Sequence, residues 1–423
     1  MTAFEVTGGR PLRGSVQVPG DKSISHRAVL LAALAEGTST VTGLSTGHDV
    51  VRTATAVQAF GASIDGERIT GGRRRLHAAH SPVDVGNSGT TIRLLSGFCA
   101  AFPWRTVLSG DDSVARRPMD RIAIPLRRMG AGVEGTEREQ GVLFPPLTVT
   151  GGGLHGIDYR LPVASAQVKG AVLLAGLGAE GETVVRESVG TRRHTEEMLA
   201  ACGADVEVSA DGLTTTVRAS EVHPFELVVP GDPSQAAFWV VAACVAPGSE
   251  VTIEPVYLGP ARAGFLDVLR RMGADIEVEP VGSSDARLHV RSAPLHATDV
   301  GGSEVPGLVD EIPVLAVAAA VAEGVSTFSD AGELRVKESD RLTTVAGELT
   351  ALGAEVEARG DGMVVTGGAP LQGGLVRAHG DHRVAMALAV AALVADGTTR
   401  IEGWEAVATS YPGFEEDLHR LWE

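Results

Sequence analysis

The sequence predicts an α/β protein of two domains, each built from three copies of one strand-and-helix unit. Three observations carry that prediction: a recurring helix-to-strand signal, a second recurring turn between its copies, and a strand for the last unit that is found at the N-terminus. The first signal is an apolar residue, Gly-Ala and then an alternating strand: Phe60-Gly61-Ala62-Ser63-Ile64, Met129-Gly130-Ala131-Gly132-Val133, Cys202-Gly203-Ala204-Asp205-Val206, Met272-Gly273-Ala274-Asp275-Ile276 and Leu352-Gly353-Ala354-Glu355-Val356. The period of about 70 residues exceeds a solenoid repeat and suits a whole βαβ-type subdomain. In each copy the glycine is expected in the left-handed conformation that ends a helix and sends the chain into a strand. The second signal is a Gly turn before a strand, at Glu36-Gly37-Thr38, Glu180-Gly181-Glu182, Pro247-Gly248-Ser249, Glu323-Gly324-Val325 and Asp396-Gly397-Thr398, with Phe102-Pro103-Trp104 in the remaining slot. Six units of about 70 residues account for the 423 residues of the chain.

Taken in order, each unit reads as strands with two helices. The sixth lacks its closing strand, because the chain stops at the amphipathic helix Phe414 to Trp422. Phe4-Glu5-Val6-Thr7 is expected to supply it, which places residues 1–19 with 231–423 in one domain and residues 20–230 in the other. The chain then crosses twice, near Pro19-Gly20 and Val229-Pro230-Gly231-Asp232. A double crossing is a natural hinge, and hinged domains close on a ligand.

Hydrophobic residues make up 44%, ample for sizeable cores. The longest apolar stretch, Val384 to Val394, is too short to span a bilayer and reads as a buried helix. With no basic, apolar, cleavable leader at the N-terminus, the expected location is cytoplasmic. Cys99, Cys202 and Cys244 are widely separated in apolar helical contexts, so buried free thiols are expected. A net charge of −17 argues against nucleic acid or anionic membranes as partners. Any anionic ligand must therefore meet a local positive pocket.

Lysine placement points to that pocket. Only Lys22, Lys169 and Lys337 occur among 36 basic residues. Wherever a positive charge merely solvates the surface the chain uses Arg, so a retained Lys marks a need for a compact, exchangeable ammonium.

Lys22 lies in Pro19-Gly20-Asp21-Lys22-Ser23-Ile24-Ser25-His26-Arg27, ahead of the apolar helix Val29 to Leu34. Lys22, Ser23 and Arg27 open that helix, whose free N–H groups favour an anion. A nucleotide phosphate loop would need Gly-Lys-Ser/Thr, and Asp21 separates Gly20 from Lys22. Gly86-Asn87-Ser88-Gly89-Thr90-Thr91-Ile92-Arg93 makes a tight turn whose bare backbone admits a close ligand, although such a turn alone is weak evidence. Arg116-Arg117-Pro118-Met119 sets two guanidiniums before a helix-starting Pro, and Ser165-Ala166-Gln167-Val168-Lys169 precedes the apolar helix Ala171 to Leu177. Asp310-Glu311 sits before a helix of Ala, Val and Leu, where Asp310 suits a plain N-cap equally well. Arg335-Val336-Lys337-Glu338-Ser339-Asp340-Arg341 packs five charges into seven positions, and Asp381-His382-Arg383 opens a buried helix.

Together these stretches resemble, from the first strand to Tyr411-Pro412, the enolpyruvyl (carboxyvinyl) transferases, and most closely the branch that acts on shikimate 3-phosphate. The resemblance implies an inside-out α/β barrel fold in two domains of three βαβαββ units, with the active site in the interdomain cleft. It implies transfer of the carboxyvinyl group of phosphoenolpyruvate to the 5-hydroxyl of shikimate 3-phosphate, by addition and elimination through a tetrahedral intermediate, with no metal or organic cofactor and as a monomer. By motif position, Lys22, Ser23, Arg27, Ser165, Ala166, Gln167, Asp310 and Lys337 are expected on shikimate 3-phosphate. Lys22, Gly89, Arg117, Gln167, Arg341 and Arg383 are expected on phosphoenolpyruvate, with Asn87, Thr90, Arg192 and His382 as further contacts. Asp310, Glu338 and Lys22 are the expected acid–base groups.

The chain departs from the family pattern at Ala166, Glu333 and Thr409, where a Ser, an Asn and a Lys are common, and at Thr191-Arg192-Arg193-His194-Thr195, which is similar to the version in a divergent bacterial branch. An acceptor such as UDP-N-acetylglucosamine is disfavoured, because none of the three cysteines lies in the Asp111 to Arg117 loop. A purely anion-binding paralogue gains nothing from the carboxylates of Asp310 and Glu338.

Overall fold

The computed structural model describes residues 2–138 and 141–422. Contacts divide the chain into two compact units, named here for their place in the sequence: a central unit, Lys22–Val229, and a terminal unit, Met1–Asp21 with Pro230–Glu423.

Among the described residues the α-helices are α1 (Lys22–Leu34), α2 (His48–Ala59), α3 (Gly89–Ala100), α4 (Asp120–Arg128), α5 (Ala166–Gly176), α6 (His194–Ala201), α7 (Pro233–Val245), α8 (Gly264–Arg271), α9 (Ile312–Val321), α10 (Arg341–Ala351), α11 (His382–Ala392) and α12 (Phe414–Leu421). The first six belong to the central unit and the rest to the terminal unit. They alternate in character. Every residue of α7 and α11 is buried, as is nearly all of α1, α3, α5 and α9, whereas α2, α4, α8 and α12 bury one stripe. A helix apolar all round must sit in a core, and an amphipathic one lies at its edge. In the terminal unit α7, α9 and α11 pack on one another, and in the central unit α3 packs on both α1 and α5.

Among the described residues each unit carries three sheets, and of these six sheets five have four strands and one has three. In the sheet ordered Glu226–Val228, Gly37–Thr42, Arg68–Gly71, Ser63–Asp65, the first pair is parallel and the others antiparallel. The three-stranded sheet pairs Leu375–Arg377 parallel with Thr398–Glu402, and Thr398–Glu402 antiparallel with Ala3–Thr7. Phe4 faces Ile401 and Val6 faces Thr399, and burial of Phe4 and Val6 fixes which face of that strand turns inward.

The glycines of the Gly-Ala signal, Gly61, Gly130, Gly203, Gly273 and Gly353, all have positive φ, from 76° to 104°. That is the left-handed turn expected of them, and it lets the chain leave a helix for a strand without Cβ strain. Two elements begin elsewhere than their apolar runs suggest. The helix expected from Ala171 starts at Ala166, because Ser165 caps it by accepting from the Val168 N–H, and the first turn takes in Gln167 and Lys169. Pro118 does not open α4, which begins at Asp120. Cys99, Cys202 and Cys244 are buried free thiols. Among the described residues no helix is long and apolar enough to cross a membrane.

Candidate functional site

In the central unit the motif residues gather where α1, α3 and α5 begin. Lys22 is the first residue of α1, and its ammonium stands 3.0 Å from Asp49 Oδ2 in the first turn of α2. One turn on, the buried Arg27 guanidinium donates to Thr195 Oγ1 (2.6 Å), the Ser23 carbonyl (2.8 Å) and the Ala166 carbonyl (3.3 Å), tying α1 to α5 and α6. Arg192 reaches Ser23 Oγ at 3.4 Å.

Ser88 caps α3, accepting from the Thr91 N–H and hydroxyl. A Cβ on Gly89 would lie 2.6 Å from Arg117 Nη1 and 2.9 Å from Arg93 Nη1, so only a bare backbone leaves both guanidiniums where they are. Gln167 bridges α5 to α3, accepting from Arg93 Nη1 and donating to Thr90 Oγ1, each at 2.9 Å. Arg117 is buried and donates to Ser113 Oγ at 3.2 Å, while Arg116 faces water. Lys22, Arg27, Arg93, Arg117 and Arg192 thus collect around three helix starts whose dipoles add to the same positive field. Inside an acidic chain this is a local positive seat, chemically suited to an anion.

A buried chain of hydroxyls stiffens that seat. His26 Nδ1 meets Thr53 Oγ1 at 2.7 Å, and Thr53 Oγ1 meets Thr91 Oγ1 at 2.8 Å, which joins α1 through α2 to the cap of α3. Burial, with Lys22 and Arg27 nearby, holds the His26 pKa well below its ordinary value, so the ring is neutral.

In the terminal unit a second cluster forms where α7, α9, α10 and α11 begin, and it is rich in carboxylates. Arg341 opens α10 and is 1% exposed. It donates to Asp381 Oδ2 (2.8 Å), Glu338 Oε2 (2.7 Å) and Asp310 Oδ1 (3.4 Å). Burial by itself would lower the pKa of this guanidinium, and the three carboxylates more than offset it, so the charge is permanent. Asp381 is fully buried and also caps α11, accepting from the Arg383 N–H at 2.9 Å. Asp310 and Glu338 keep some exposure, 24% and 16%, and so stay reachable. Burial pulls the Lys337 pKa below the usual lysine value, against the pull of Asp310, Glu338 and Glu333 and helped by Arg341. Arg383 donates to the Ser234 carbonyl at 3.0 Å, and His382 is buried as the first residue of α11. Arg262 holds Asp21 and Asp232, both at 2.7 Å, and Ser234 donates to Glu311.

The expected residues therefore fall into two sets. Lys22, Ser23, Arg27, Gly89, Thr90, Arg117, Ser165, Ala166, Gln167 and Arg192 share the central-unit network, and Asp310, Lys337, Glu338, Arg341, Arg383 and His382 lie in the terminal-unit cluster. Asn87 lines an open cavity of about 710 Å³ with His48, Arg52, Asp84 and Asp111. That cavity is lined by none of the cationic residues gathered at the starts of α1, α3 and α5. The sequence offered no sign of Asp49, and it marked the segment that ends at Thr195 without saying what Thr195 meets; they pair with Lys22 and Arg27 across 27 and 168 residues.

Known proteins share the fold and much of the sequence. The EPSP synthase from Acinetobacter baumannii superposes with a TM-score of 0.86 at 42% identity, covering 99% of this chain and 98% of its own. The enolpyruvyl transferase NikO from Streptomyces tendae superposes at 0.78 with 22% identity, covering 99% and 96%, a likeness of fold alone. The fold is that of the enolpyruvyl transferases. The family model for EPSP synthase (3-phosphoshikimate 1-carboxyvinyltransferase) matches residues 6–418. The 3-phosphoshikimate 1-carboxyvinyltransferases of Gloeobacter violaceus (52% identical, 99% of each chain covered) and Bacillus thuringiensis (47%, 97% of each) are similar throughout. The chain belongs to the EPSP synthase family and is a transferase.

Proposed function

We propose that this protein transfers the carboxyvinyl group of phosphoenolpyruvate to the 5-hydroxyl of shikimate 3-phosphate, the reaction of its family in the shikimate pathway. In the addition step the 5-oxygen bonds to C2 of phosphoenolpyruvate while C3 gains a proton and becomes a methyl group. In the elimination step the C2–O bond to phosphate breaks, the methyl group loses a proton, and the double bond returns in the product. Both substrates are multiply anionic, so a dense array of Arg and Lys must offset their repulsion.

The central-unit set supplies that array. Lys22, Ser23, Arg27, Ser165, Gln167 and Arg192 take the shikimate phosphate, with Ala166 beside them. Gly89, Thr90, Arg117 and Gln167 take phosphoenolpyruvate, with Arg341, Arg383 and Lys22. Asp310 accepts the 5-hydroxyl proton, and Lys337 assists on the acceptor. Glu338 and Lys22 deliver the proton to C3 and later remove it. The observation that carries this reading is that Asp310 and Glu338 share one buried guanidinium, Arg341, while both keep an exposed edge beside Lys337. A pure binder of anions has no use for carboxylates there.

Phosphate release by the purified protein tests the reading. Release with phosphoenolpyruvate and shikimate 3-phosphate, and none with UDP-N-acetylglucosamine as acceptor, is the expected result. Silence with both acceptors would leave only the fold. Ala166, Glu333 and Thr409 would then mark an altered site. The chain is expected to work as a monomer, which light scattering would read as one species near 43.7 kDa.

A further inference from the structure

Lys169 has no part in that scheme. It sits near the start of α5, a helix that is apolar beyond it, and is 1% exposed. Its ammonium lies 2.6 Å from Glu187 Oε2 and 2.7 Å from Glu196 Oε1, and both carboxylates are 2% exposed. The other oxygen of Glu187 accepts from the Thr191 hydroxyl. Such a buried cluster is a poor stabiliser, because desolvating three charges costs about as much as their attraction returns. Its geometry suggests another use.

The three charges come from three elements. Lys169 is in α5, Glu187 follows the strand Glu182–Arg186, and Glu196 is in the first turn of α6. Between the two glutamates runs the segment 188–195, so one ammonium anchors both of its ends. Within that segment Arg192 meets Ser23 Oγ at 3.4 Å, and Thr195 accepts from Arg27 at 2.6 Å. Next to Lys169, a Cβ on Gly170 would lie 2.8 Å from Thr195 Oγ1 and 3.3 Å from Arg27 Nη2, so the α5 backbone passes directly against the Thr195–Arg27 contact. A shift of α6 against α5 by a few tenths of an ångström would be felt there.

We propose that Lys169, with Glu187 and Glu196, is a positioning cluster that locks residues 191–195 so that Arg192 and Thr195 hold Ser23 and Arg27 in register for the acceptor's phosphate. The cluster touches no substrate. Lysine suits the task because a compact ammonium can turn its donors toward two carboxylates that arrive from different elements. The claim rests on reading the central-unit seat as the place of the acceptor's phosphate.

Two variants test it. Thr191→Val removes only the hydroxyl that ties the segment to Glu187, and Lys169→Met removes the anchor. Both are expected to raise KM for shikimate 3-phosphate about tenfold, the scale of misplacing a charge-assisted hydrogen bond. KM for phosphoenolpyruvate should stay within about twofold, and hydrogen–deuterium exchange should quicken in residues 187–197 alone. If Lys169→Met does not fold, Thr191→Val decides. An unchanged KM for shikimate 3-phosphate with unchanged exchange would overturn the proposal. So would a joint rise of both KM values with faster exchange across the central unit, which would mark a purely structural cluster. If the wild-type protein does not turn over shikimate 3-phosphate, the assignment of activity fails separately. Exchange confined to residues 187–197 in the variants would then still support the anchoring, and unchanged exchange would overturn it.

Discussion

Replacing Gly97 by alanine should loosen the anion seat from about two helical turns away. Gly97 is buried in α3, and a Cβ there would lie 2.0 Å from the Ala171 carbonyl oxygen and 2.7 Å from its Cα, in α5. Real Cβ contacts essentially never fall under 3.0 Å, and the obstacle is backbone, so the two helices must part by about 1 Å. The same helices hold Gln167 to Thr90 and Arg93 by bonds of 2.9 Å, and an opening of about 1 Å carries both past the ~3.5 Å at which a hydrogen bond is lost. Overpacking of this kind costs about 1–3 kcal/mol. In a unit of about 200 residues that lowers Tm by ~2–12 °C. Calorimetry would read the melting shift, and phosphate release would read a raised KM for phosphoenolpyruvate. Gly347→Ala is the control: it is an exposed glycine in α10 with nothing within 4 Å of a new Cβ, and it should gain about 0.5–1 kcal/mol. A Gly97→Ala protein that melts within about 1 °C of wild type, with wild-type KM, would refute the inference from close helix approach to site geometry.

Further outcomes follow from the buried groups. His26 is held neutral in the folded protein but titrates near 6.5 when unfolded, so below that pH the unfolded chain binds more protons. Its contribution makes stability fall on acidification by up to about 1.4 kcal/mol per pH unit. In urea melts from pH 7.5 to 5.5, His26→Gln should show a shallower slope, and equal slopes would sink the idea. Burial pushes the thiols of Cys99, Cys202 and Cys244 up to about 12. Ellman's reagent at pH 8 should therefore find none in the folded protein and three in denaturant. Glu338→Gln should slow phosphate release about 100-fold or more while shikimate 3-phosphate still binds, and normal turnover would remove Glu338 from proton transfer. Arg341→Met strips the cation from Asp381, Glu338 and Asp310 and should cost about 3–5 kcal/mol, read as an early transition in a thermal melt.

Much of the molecule was legible in one dimension. The Gly-Ala signal marks helix ends because a left-handed glycine is a local requirement of the turn, satisfied within a few residues. Buried and amphipathic helices could be told apart by their patterns, since burial all round leaves no polar stripe. The apolar run misplaced the start of α5, because Gln167 and Lys169 look like loop residues until their partners Thr90, Arg93, Glu187 and Glu196 are known. Lys169 was singled out by its rarity, but nothing in the sequence said that it would serve from within the core.

By itself the sequence determined the repeat, the glycine-marked helix ends and the set of charged residues gathered in its motifs, because periodicity and turn chemistry act over one or two helical turns. Tertiary structure alone decided the pairing of those charges. Lys22 meets Asp49 across 27 residues, Arg27 meets Thr195 across 168, and Arg262 meets Asp21 across 241. Ion pairs depend on separation in space, and that separation is set by how closely the helices can pack: Gly97 lets the backbones of α3 and α5 approach, and Gly170 leaves room for the Thr195, Leu94 and Arg27 side chains, to distances that no side-chain pattern reports.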